Sequence, residues 1–259
     1  MTLSPWLIAI ALNTALAAIA WALPKKLLTP AGLGHAWALG VLIWGTLGWA
    51  GYGVIMAYFL VGSAVTRVGL AEKEAAGIAE KRSGARGPEN VWGSASTAAL
   101  CALGVWAIAL APPDGAAPSG PTWTAALLLG YVASLSTKLS DTCASEIGKA
   151  YGKRTFLITT LQPVPAGTEG AVSLEGTLAG VVASLVLALL GWALGLISGL
   201  GVGLCAIAAF VATNLESLIG ATLQEQVDWL TNEVVNAINT LIGAAVAMAL
   251  YGVLAYTLT

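Results

Sequence analysis

Long apolar runs alternate with short polar segments along almost the whole chain. A run of about 17–25 apolar residues is long enough for a helix to cross the hydrocarbon core of a bilayer. We count eight such runs, and the short second and third are separated by only Gly48, Trp49 and Ala50. The pattern predicts an all-α, polytopic transmembrane helical bundle of about eight spans, with the second and third joined as a tight hairpin. The predicted spans are residues 5–23, 33–47, 51–66, 91–111, 122–139, 178–197, 201–222 and 234–258.

The composition excludes several other classes of protein. Hydrophobic residues make up 58% and charged residues 9% of the 259 residues, whereas a soluble domain has about 45–50% apolar and about a quarter charged residues. The net charge of −2 and the lack of a basic stripe argue against nucleic-acid binding. Cys101, Cys143 and Cys205 are far apart and predict neither a disulfide framework nor a zinc site. The first run lacks a basic n-region, so no cleavable signal peptide is expected.

The basic residues predict the orientation in the membrane. All eleven Lys and Arg residues, Lys25 and Lys26 among them, fall in the loops after spans one, three and five. Cytoplasmic loops of membrane proteins carry an excess of Lys and Arg. We therefore expect a single integral membrane domain over residues 1–259, with cytoplasmic loops at 67–90 and 138–177. Both termini are then expected on the non-cytoplasmic side.

The predicted loop at 138–177 combines dense charge with turn chemistry. It has about forty residues, which is far more than a plain connector between helices requires. Gly and hydroxyl residues around Pro suit a backbone whose N–H groups turn toward an anion. We interpret the loop as a site; a solvated connector is the alternative. Its expected anion-binding residues are Thr159, Thr160, Pro165, Gly167, Thr168, Gly170 and Ser173.

Three carboxylates in or beside the predicted spans are candidate metal ligands. An ionisable residue inside a bilayer is costly and marks a functional site by default. Asp141 and Glu146 would point about 140° apart on one continuous helix, but both could still face one cavity if the helix breaks nearby. Glu216 has no Lys or Arg within its own span and needs a cationic partner. Oxygen ligands of this kind suit Mg²⁺ that keeps several waters.

Two further groups of polar residues are candidate substrate contacts. Arg86 lies beside Asn90 and Ser94 at the mouth of the fourth span, where it would either grip a phosphate or anchor the topology. Asn236 and Asn239 share one face of the eighth span. For these two residues, ligand binding and hydrogen bonding between helices both remain open.

The segment 71–86 has Glu and Lys at helical spacing and little hydrophobic content. It is predicted to be a solvated helix that ends near Gly84. Lys73 is expected on the solvated surface of that helix, and Arg82 is interpreted as a topology anchor at the membrane surface.

The groups expected at the cytoplasmic face suit phosphoryl transfer. That chemistry needs positioning and charge neutralisation more than a covalent nucleophile. Asp141, Glu146, Lys138 and Lys149 are the candidate catalytic residues. His35 is the one histidine and is far from them in sequence, so neither a Ser-His-Asp set nor a thiol–His pair is expected. A Walker A motif is absent from the sequence. The residues alone indicate a membrane-embedded enzyme or transporter that acts on a phosphorylated substrate.

The chain contains four ordered blocks of distinctive sequence: SDTCASEIGKAYGK, LITTLQPVPAGTEGAVSLEGTLAG, ESLIGATLQ and NEVVNAINTLIGA. They resemble the signature blocks of an integral membrane family whose plant and cyanobacterial members include phytyl-phosphate kinase of tocopherol synthesis. The family is also similar to the dolichol and phytol kinases, which use CTP. The resemblance covers most of residues 67–250. Glu216 stands where many members of the family have Asp.

The resemblance implies transfer of a phosphate from a nucleoside triphosphate, with CTP favoured, to an isoprenyl monophosphate such as phytyl phosphate. The product would be the isoprenyl diphosphate. Mg²⁺ would be held by Asp141 and Glu146, with Glu216, and the loop residues from Thr159 to Ser173 would bind the nucleotide. A cyanobacterial or plastid-type membrane with a cytoplasmic active face is implied. The alternatives are a CTP-dependent cytidylyltransferase that makes a CDP-lipid, and a carrier of a phosphorylated metabolite.

Overall fold

The computed structural model describes residues 4–24, 26–111, 122–224 and 226–257. Two short strands, β1 (Thr155–Leu157) and β2 (Ala171–Ser173), pair antiparallel, and the rest of the regular structure in these ranges is helical. The predicted loop at 112–121 lies outside the described residues. The helices are α1 (Pro5–Ala22), α2 (Pro30–Val65), α3 (Leu70–Ala75), α4 (Pro88–Leu110), α5 (Trp123–Tyr151), α6 (Leu174–Ala193), α7 (Gly199–Thr222) and α8 (Asn232–Thr257).

Helix α2 is a hairpin of two arms, and the chain reverses at Gly48. Gly48 has φ 64° and ψ −157°, which interrupts the helix, and glycine adopts a positive φ at little cost. A Cβ atom on Gly32 would collide with the backbone of Arg86, and one on Gly62 would lie 2.9 Å from the guanidinium of the same residue. Thirty residues of straight helix would separate those two glycines by about 45 Å. The predicted tight hairpin between the second and third spans is therefore present.

Helix α5 lies at the centre of the bundle. It packs against both α4 and α6 and also against α2, α7 and α8, and residues 129–140 are all buried. A helix that is buried on every side is a central helix. It continues to Tyr151 without a break, so the prediction that the span ends at residue 139 and gives way to a loop is wrong. The polar residues in its second half remain within the helix because side chains of the protein pair with them.

Six helices of the described chain are long and apolar enough to cross a membrane: α1, α2, α4, α6, α7 and α8. Because α2 has two arms, it provides two crossings. Helix α5 is too polar in its second half to meet the same criterion of length and apolar composition. It is nevertheless surrounded by the spanning helices, and its 29 residues extend about 43 Å. Together they make the eight predicted spans of an all-α bundle.

The polar connections gather at one end of the bundle, which we call the polar face. The guanidinium of Arg67 donates to the carbonyl of Lys26 at 3.2 Å, and the N–H of Arg86 donates to the carbonyl of Leu27 at 3.0 Å. Lys149 lies 3.8 Å from Glu80. Because α1 ends and α8 begins at this face, the other ends of both helices lie at the opposite face. Which of the two faces is cytoplasmic stays a prediction.

The segment between α5 and α6 is a compact β-hairpin that folds back onto the polar face. Thr155 pairs with Ser173 and Leu157 with Ala171. Gly170 has a positive φ of 74°, and a Cβ there would lie 2.7 Å from the carbonyl oxygen of Ser217 on α7. Only glycine satisfies both conditions. The hairpin is thereby held against α7, and its second half covers the space between the helices.

Labelling of introduced cysteines tests the orientation. We expect Gly199→Cys, at the start of α7, to react with a membrane-impermeant maleimide from outside intact cells. Lys153→Cys, on the polar face, should react only after the membrane is opened. The native cysteines are buried and give a low background. Labelling of both positions from one side would contradict the eight spans, and the reversed pattern would contradict only the predicted sidedness.

Candidate functional site

A cavity of about 710 Å³ opens at the polar face between α4, α5, α6, α7 and α8. It is covered by residues 77–86 on one side and residues 167–173 on the other. The predicted site residues on its wall are Lys138, Asp141, Glu146, Lys149, Arg86, Asn90, Ser94, Glu216, Asn236, Gly167, Thr168, Gly170 and Ser173. Side chains that are far apart in sequence therefore meet in one concave space.

A cluster of polar side chains from α5, α7 and α8 forms the floor of the cavity. The ammonium of Lys138 lies 2.5 Å from Asp141 Oδ2 and 2.5 Å from Asn236 Oδ1. The amide nitrogen of Asn239 donates to Glu216. Asn239 itself does not line the cavity, and its hydrogen bond holds the carboxylate of Glu216 in position. We call these five residues the floor cluster.

The carboxyl groups of Asp141 and Glu216 lie within hydrogen-bonding reach of each other. Two carboxylates that share a site repel one another unless a cation or a proton lies between them. Lys138 supplies one positive charge near both groups, and a proton or a second cation between the two carboxyl groups would balance the remaining negative charge. Two carboxylates that border an open cavity fit Mg²⁺, which is usually bound through one or two carboxylates together with substrate phosphates.

The carboxylate of Glu146 is engaged elsewhere, in a buried ion pair with Lys73 of α3. Each of these two residues is only 1% exposed, and the ammonium of Lys73 also donates to the carbonyl of Thr66 at 3.0 Å. The expectation that Lys73 is solvated is wrong. Within the described ranges, no three His, Cys, Asp or Glu residues are grouped as a metal site, so the trio of Asp141, Glu146 and Glu216 is not assembled. The reason is that the carboxylate of Glu146, although it borders the same cavity as Asp141, is paired with Lys73 of α3.

Two cationic side chains face the cavity from its rim. The guanidinium of Arg86 donates to the hydroxyl of Tyr58 at 2.8 Å and lies over the rings of Tyr58 and Phe59. Stacking of this kind fixes the planar fork of an arginine while leaving other N–H groups free to bind an anion. Lys149 lies 3.8 Å from Glu80 and 3.9 Å from Glu146. Both cations are half-buried, so each is accessible from the cavity.

Asn90 and Ser94 also reach the cavity from α4. The side-chain oxygen of Asn90 accepts hydrogen bonds from the N–H of Gly87 at 2.9 Å and from Arg82 at 3.0 Å. Arg82 in turn pairs with Glu89 on the surface. Asn90 therefore caps the first turn of α4. Its side-chain oxygen is already engaged in these hydrogen bonds. Ser94 is buried one turn further along the helix.

The β-hairpin divides the predicted anion-binding residues into two sets. Gly167, Thr168, Gly170 and Ser173 line the cavity. Thr159, Thr160 and Pro165 are exposed and do not line it, which corrects the expectation that the whole loop faces one site. The turn at residues 158–162 projects into solvent, because the pairing of β1 with β2 turns it away from the helices.

The chain matches the family described as integral membrane protein DUF92 over residues 13–244. It belongs to that family. An uncharacterized membrane protein of Synechocystis sp. is 68% identical over 246 residues, which are 95% of this chain and 91% of the relative. Protein VTE6, chloroplastic, of Arabidopsis thaliana is 45% identical over 224 residues, covering 85% of this chain and 64% of the plant protein. An uncharacterized membrane protein of Methanocaldococcus jannaschii is 34% identical over 199 residues, or 76% of this chain and 75% of the relative. No solved structure matches the chain.

Membership of this family confirms the resemblance that the four sequence blocks indicate. Each block contributes to the cavity: α5 carries the first, the β-hairpin and the start of α6 carry the second, and α7 and α8 carry the others. Relatives from a cyanobacterium and from a plant chloroplast fit the expectation of a cyanobacterial or plastid-type integral membrane protein.

Lys73 is the residue of this region that sequence reasoning missed. Its segment has the charge pattern of a solvated helix, but α3 has only six residues between Gly69 and Ala76. A helix that short is not stable in water by itself. The brevity of the segment between Gly69 and Gly77 was therefore the available signal that it is held by tertiary contacts.

Proposed function

We propose that this protein transfers the terminal phosphate of a nucleoside triphosphate, with CTP favoured, to an isoprenyl monophosphate such as phytyl phosphate. The observation that carries the proposal is the cavity at the polar face, which is lined both by the carboxyl pair of Asp141 and Glu216 and by the cations Arg86 and Lys149. The 45% identity to protein VTE6, chloroplastic, supports it, together with the resemblance of the sequence blocks to phytyl-phosphate kinase.

The proposed reaction requires little acid–base catalysis from the protein. An oxygen of the acceptor phosphate attacks the terminal phosphorus of the nucleotide, the bond to the bridging oxygen breaks, and the nucleoside diphosphate leaves with the bonding electrons. A phosphomonoester has its second pKa near 6 and is mostly dianionic at pH 7, so no proton has to be removed from the nucleophile. His35 does not line the cavity, which is consistent with this requirement.

The cationic groups of the rim balance the charge of two phosphorylated substrates. Arg86 presents a fixed planar fork, which suits bidentate contact with phosphate oxygens. Lys149 is a flexible point charge that also lines the cavity. Backbone and hydroxyl groups of Gly167, Thr168 and Gly170 line the same cavity and suit a second set of phosphate oxygens. Two positively charged sites thus hold the two substrates in reach of each other.

Asp141 and Glu216 are the residues that would hold Mg²⁺. When bound, the ion would neutralise charge on the nucleotide phosphates and act as a Lewis acid. Lys138, whose ammonium also donates to Asn236, fixes the position of Asp141, and Asn239 fixes that of Glu216. The floor cluster therefore presents two carboxylates in fixed positions, and preorganised charge of this kind is the main contribution that a phosphoryl-transfer site makes.

Product identification tests the proposal directly. Purified protein is incubated with phytyl or geranylgeranyl monophosphate, Mg²⁺ and each nucleoside triphosphate in turn, and the products are identified by mass. We expect the isoprenyl diphosphate and the nucleoside diphosphate, with CTP as the best donor. Release of pyrophosphate with a CDP-lipid would indicate a cytidylyltransferase. Movement of a phosphorylated solute across proteoliposomes without nucleotide turnover would indicate a carrier.

A further inference from the structure

The cavity extends well below the polar face, along a seam between α6 and α7. Its wall includes Thr177, Gly180 and Val181 of α6 and Phe210, Thr213, Asn214, Ser217 and Gly220 of α7. Gly220 and Phe210 are ten residues apart, which corresponds to about 15 Å along a helix axis. On each helix the residues recur at intervals of three or four, so they form one face. We call this extension the α6–α7 slot.

The α6–α7 slot becomes apolar with depth. At the polar face it begins beside Glu216 and Gly170, and it ends between Val181 and Phe210. Two polar side chains on its α7 wall are bonded to their own helix: Ser217 donates to the carbonyl of Thr213 at 3.1 Å, and Asn214 donates to that of Phe210 at 2.7 Å. The buried hydroxyl of Thr213, on the same wall, has no hydrogen-bond partner among the described residues. Side chains bonded to their own helix make little demand for water.

The deep end of the α6–α7 slot meets the outer surface of the bundle. Phe210 is 48% exposed although it lines the cavity, and Val181 is half-buried. Both belong to helices that are long and apolar enough to span the membrane. The outer surface of these helices at that depth faces lipid, so the slot joins the polar cavity to the bilayer.

We infer that the α6–α7 slot binds the hydrocarbon tail of a single-chain isoprenyl phosphate and admits it sideways from the bilayer. This inference rests on the proposed function and specifies where its lipid substrate lies. A ligand with a dianionic head and an apolar tail matches a space that is charged at one end and apolar at the other. Val181 and Phe210 are then specificity-determining residues, because they line the part that the distal tail occupies.

A second apolar groove, of about 280 Å³, lies between α1 and α2, and Trp21, Leu28 and Phe59 are among its lining residues. None of the described residues that line it also lines the cavity. The tail of an isoprenyl phosphate is covalently joined to the phosphate, so it needs a space continuous with the cavity. The α6–α7 slot meets that requirement, and the α1–α2 groove serves as the competing location in the test.

Photo-crosslinking locates the tail without any need for turnover. The full-length protein in nanodiscs is mixed with a C20 isoprenyl monophosphate that carries a diazirine at the tail end, in the absence of nucleotide, and labelled peptides are mapped. We expect labels on α6 and α7 around Val181 and Phe210 that unlabelled C20 monophosphate displaces. Labels in the α1–α2 groove, or none that the unlabelled lipid displaces, would overturn the inference.

A pair of adjacent substitutions tests the role of the slot in specificity. Val181→Trp narrows the slot, whereas Val182→Trp adds the same bulk to a neighbour that is 59% exposed on the outer surface. We expect Val181→Trp to lower the ratio of C20 to C5 acceptor turnover at least about 10-fold and Val182→Trp to leave that ratio unchanged. An unchanged ratio in both variants would overturn the inference. Displaceable crosslinks in the slot without turnover of any acceptor would instead count against the proposed kinase alone.

Discussion

Asp141→Asn is expected to lower phosphoryl transfer at least about 100-fold, because charge stabilisation at such a site is worth several kcal/mol. The substitution keeps the size of the side chain and removes its charge. Lys138 keeps Asn236 at 2.5 Å and remains near Glu216, so the ammonium is not left without partners. The thermal unfolding midpoint should therefore change little. Both quantities are measured on the purified protein, with turnover at saturating substrates and unfolding followed in detergent.

Glu72→Gln is the matched control for Asp141→Asn. Glu72 is an exposed carboxylate of α3 at the polar face that does not line the cavity. Loss of its charge should leave turnover within about twofold, since a surface charge outside the site contributes little. A folded Asp141→Asn protein with full activity would remove Asp141 from the site. A destabilised but active protein would show that Asp141 serves only to pair with Lys138.

Lys73→Met is expected to cause the largest loss of stability among single changes at the polar face. It removes the partner of a carboxylate that is only 1% exposed. Breaking a buried ion pair costs about 3–5 kcal/mol, because the remaining charge stays out of water without compensation. Lys149 is 3.9 Å from the other oxygen of Glu146 and offsets only part of this cost. The expected result is a clear fall in the thermal unfolding midpoint.

A double variant separates the ion pair from general damage to α3. Lys73→Met combined with Glu146→Leu removes both charges, and replacement of a buried pair by apolar residues of similar volume is often close to neutral. The double variant should thus be more stable than Lys73→Met alone. Arg82→Met, which breaks the exposed pair with Glu89, should cost less than about 1 kcal/mol. Equal losses in all three proteins would contradict the importance of the buried pair.

The lengths of the apolar runs predict the membrane spans correctly, while the ends of the helices follow from contacts. The prediction that the fifth span ends at residue 139 uses hydropathy, which falls where Lys138, Asp141 and Glu146 occur. The helix nevertheless reaches Tyr151, because those side chains are paired within the protein and do not need solvent. Hydropathy reports the average environment of a segment and carries no information about specific partners in the fold.

The order of apolar and polar segments by itself determined that this protein is a membrane-spanning helical bundle with its polar groups at one face. It did so because a long apolar segment satisfies its own backbone hydrogen bonds as a helix and can cross hydrocarbon whatever it packs against. The sequence blocks also indicated the family. The tertiary structure decided which groups meet: Glu216 joins Asp141, and Glu146 is taken by Lys73. These pairings connect residues more than seventy positions apart, and only the packing of the helices around α5 brings them together.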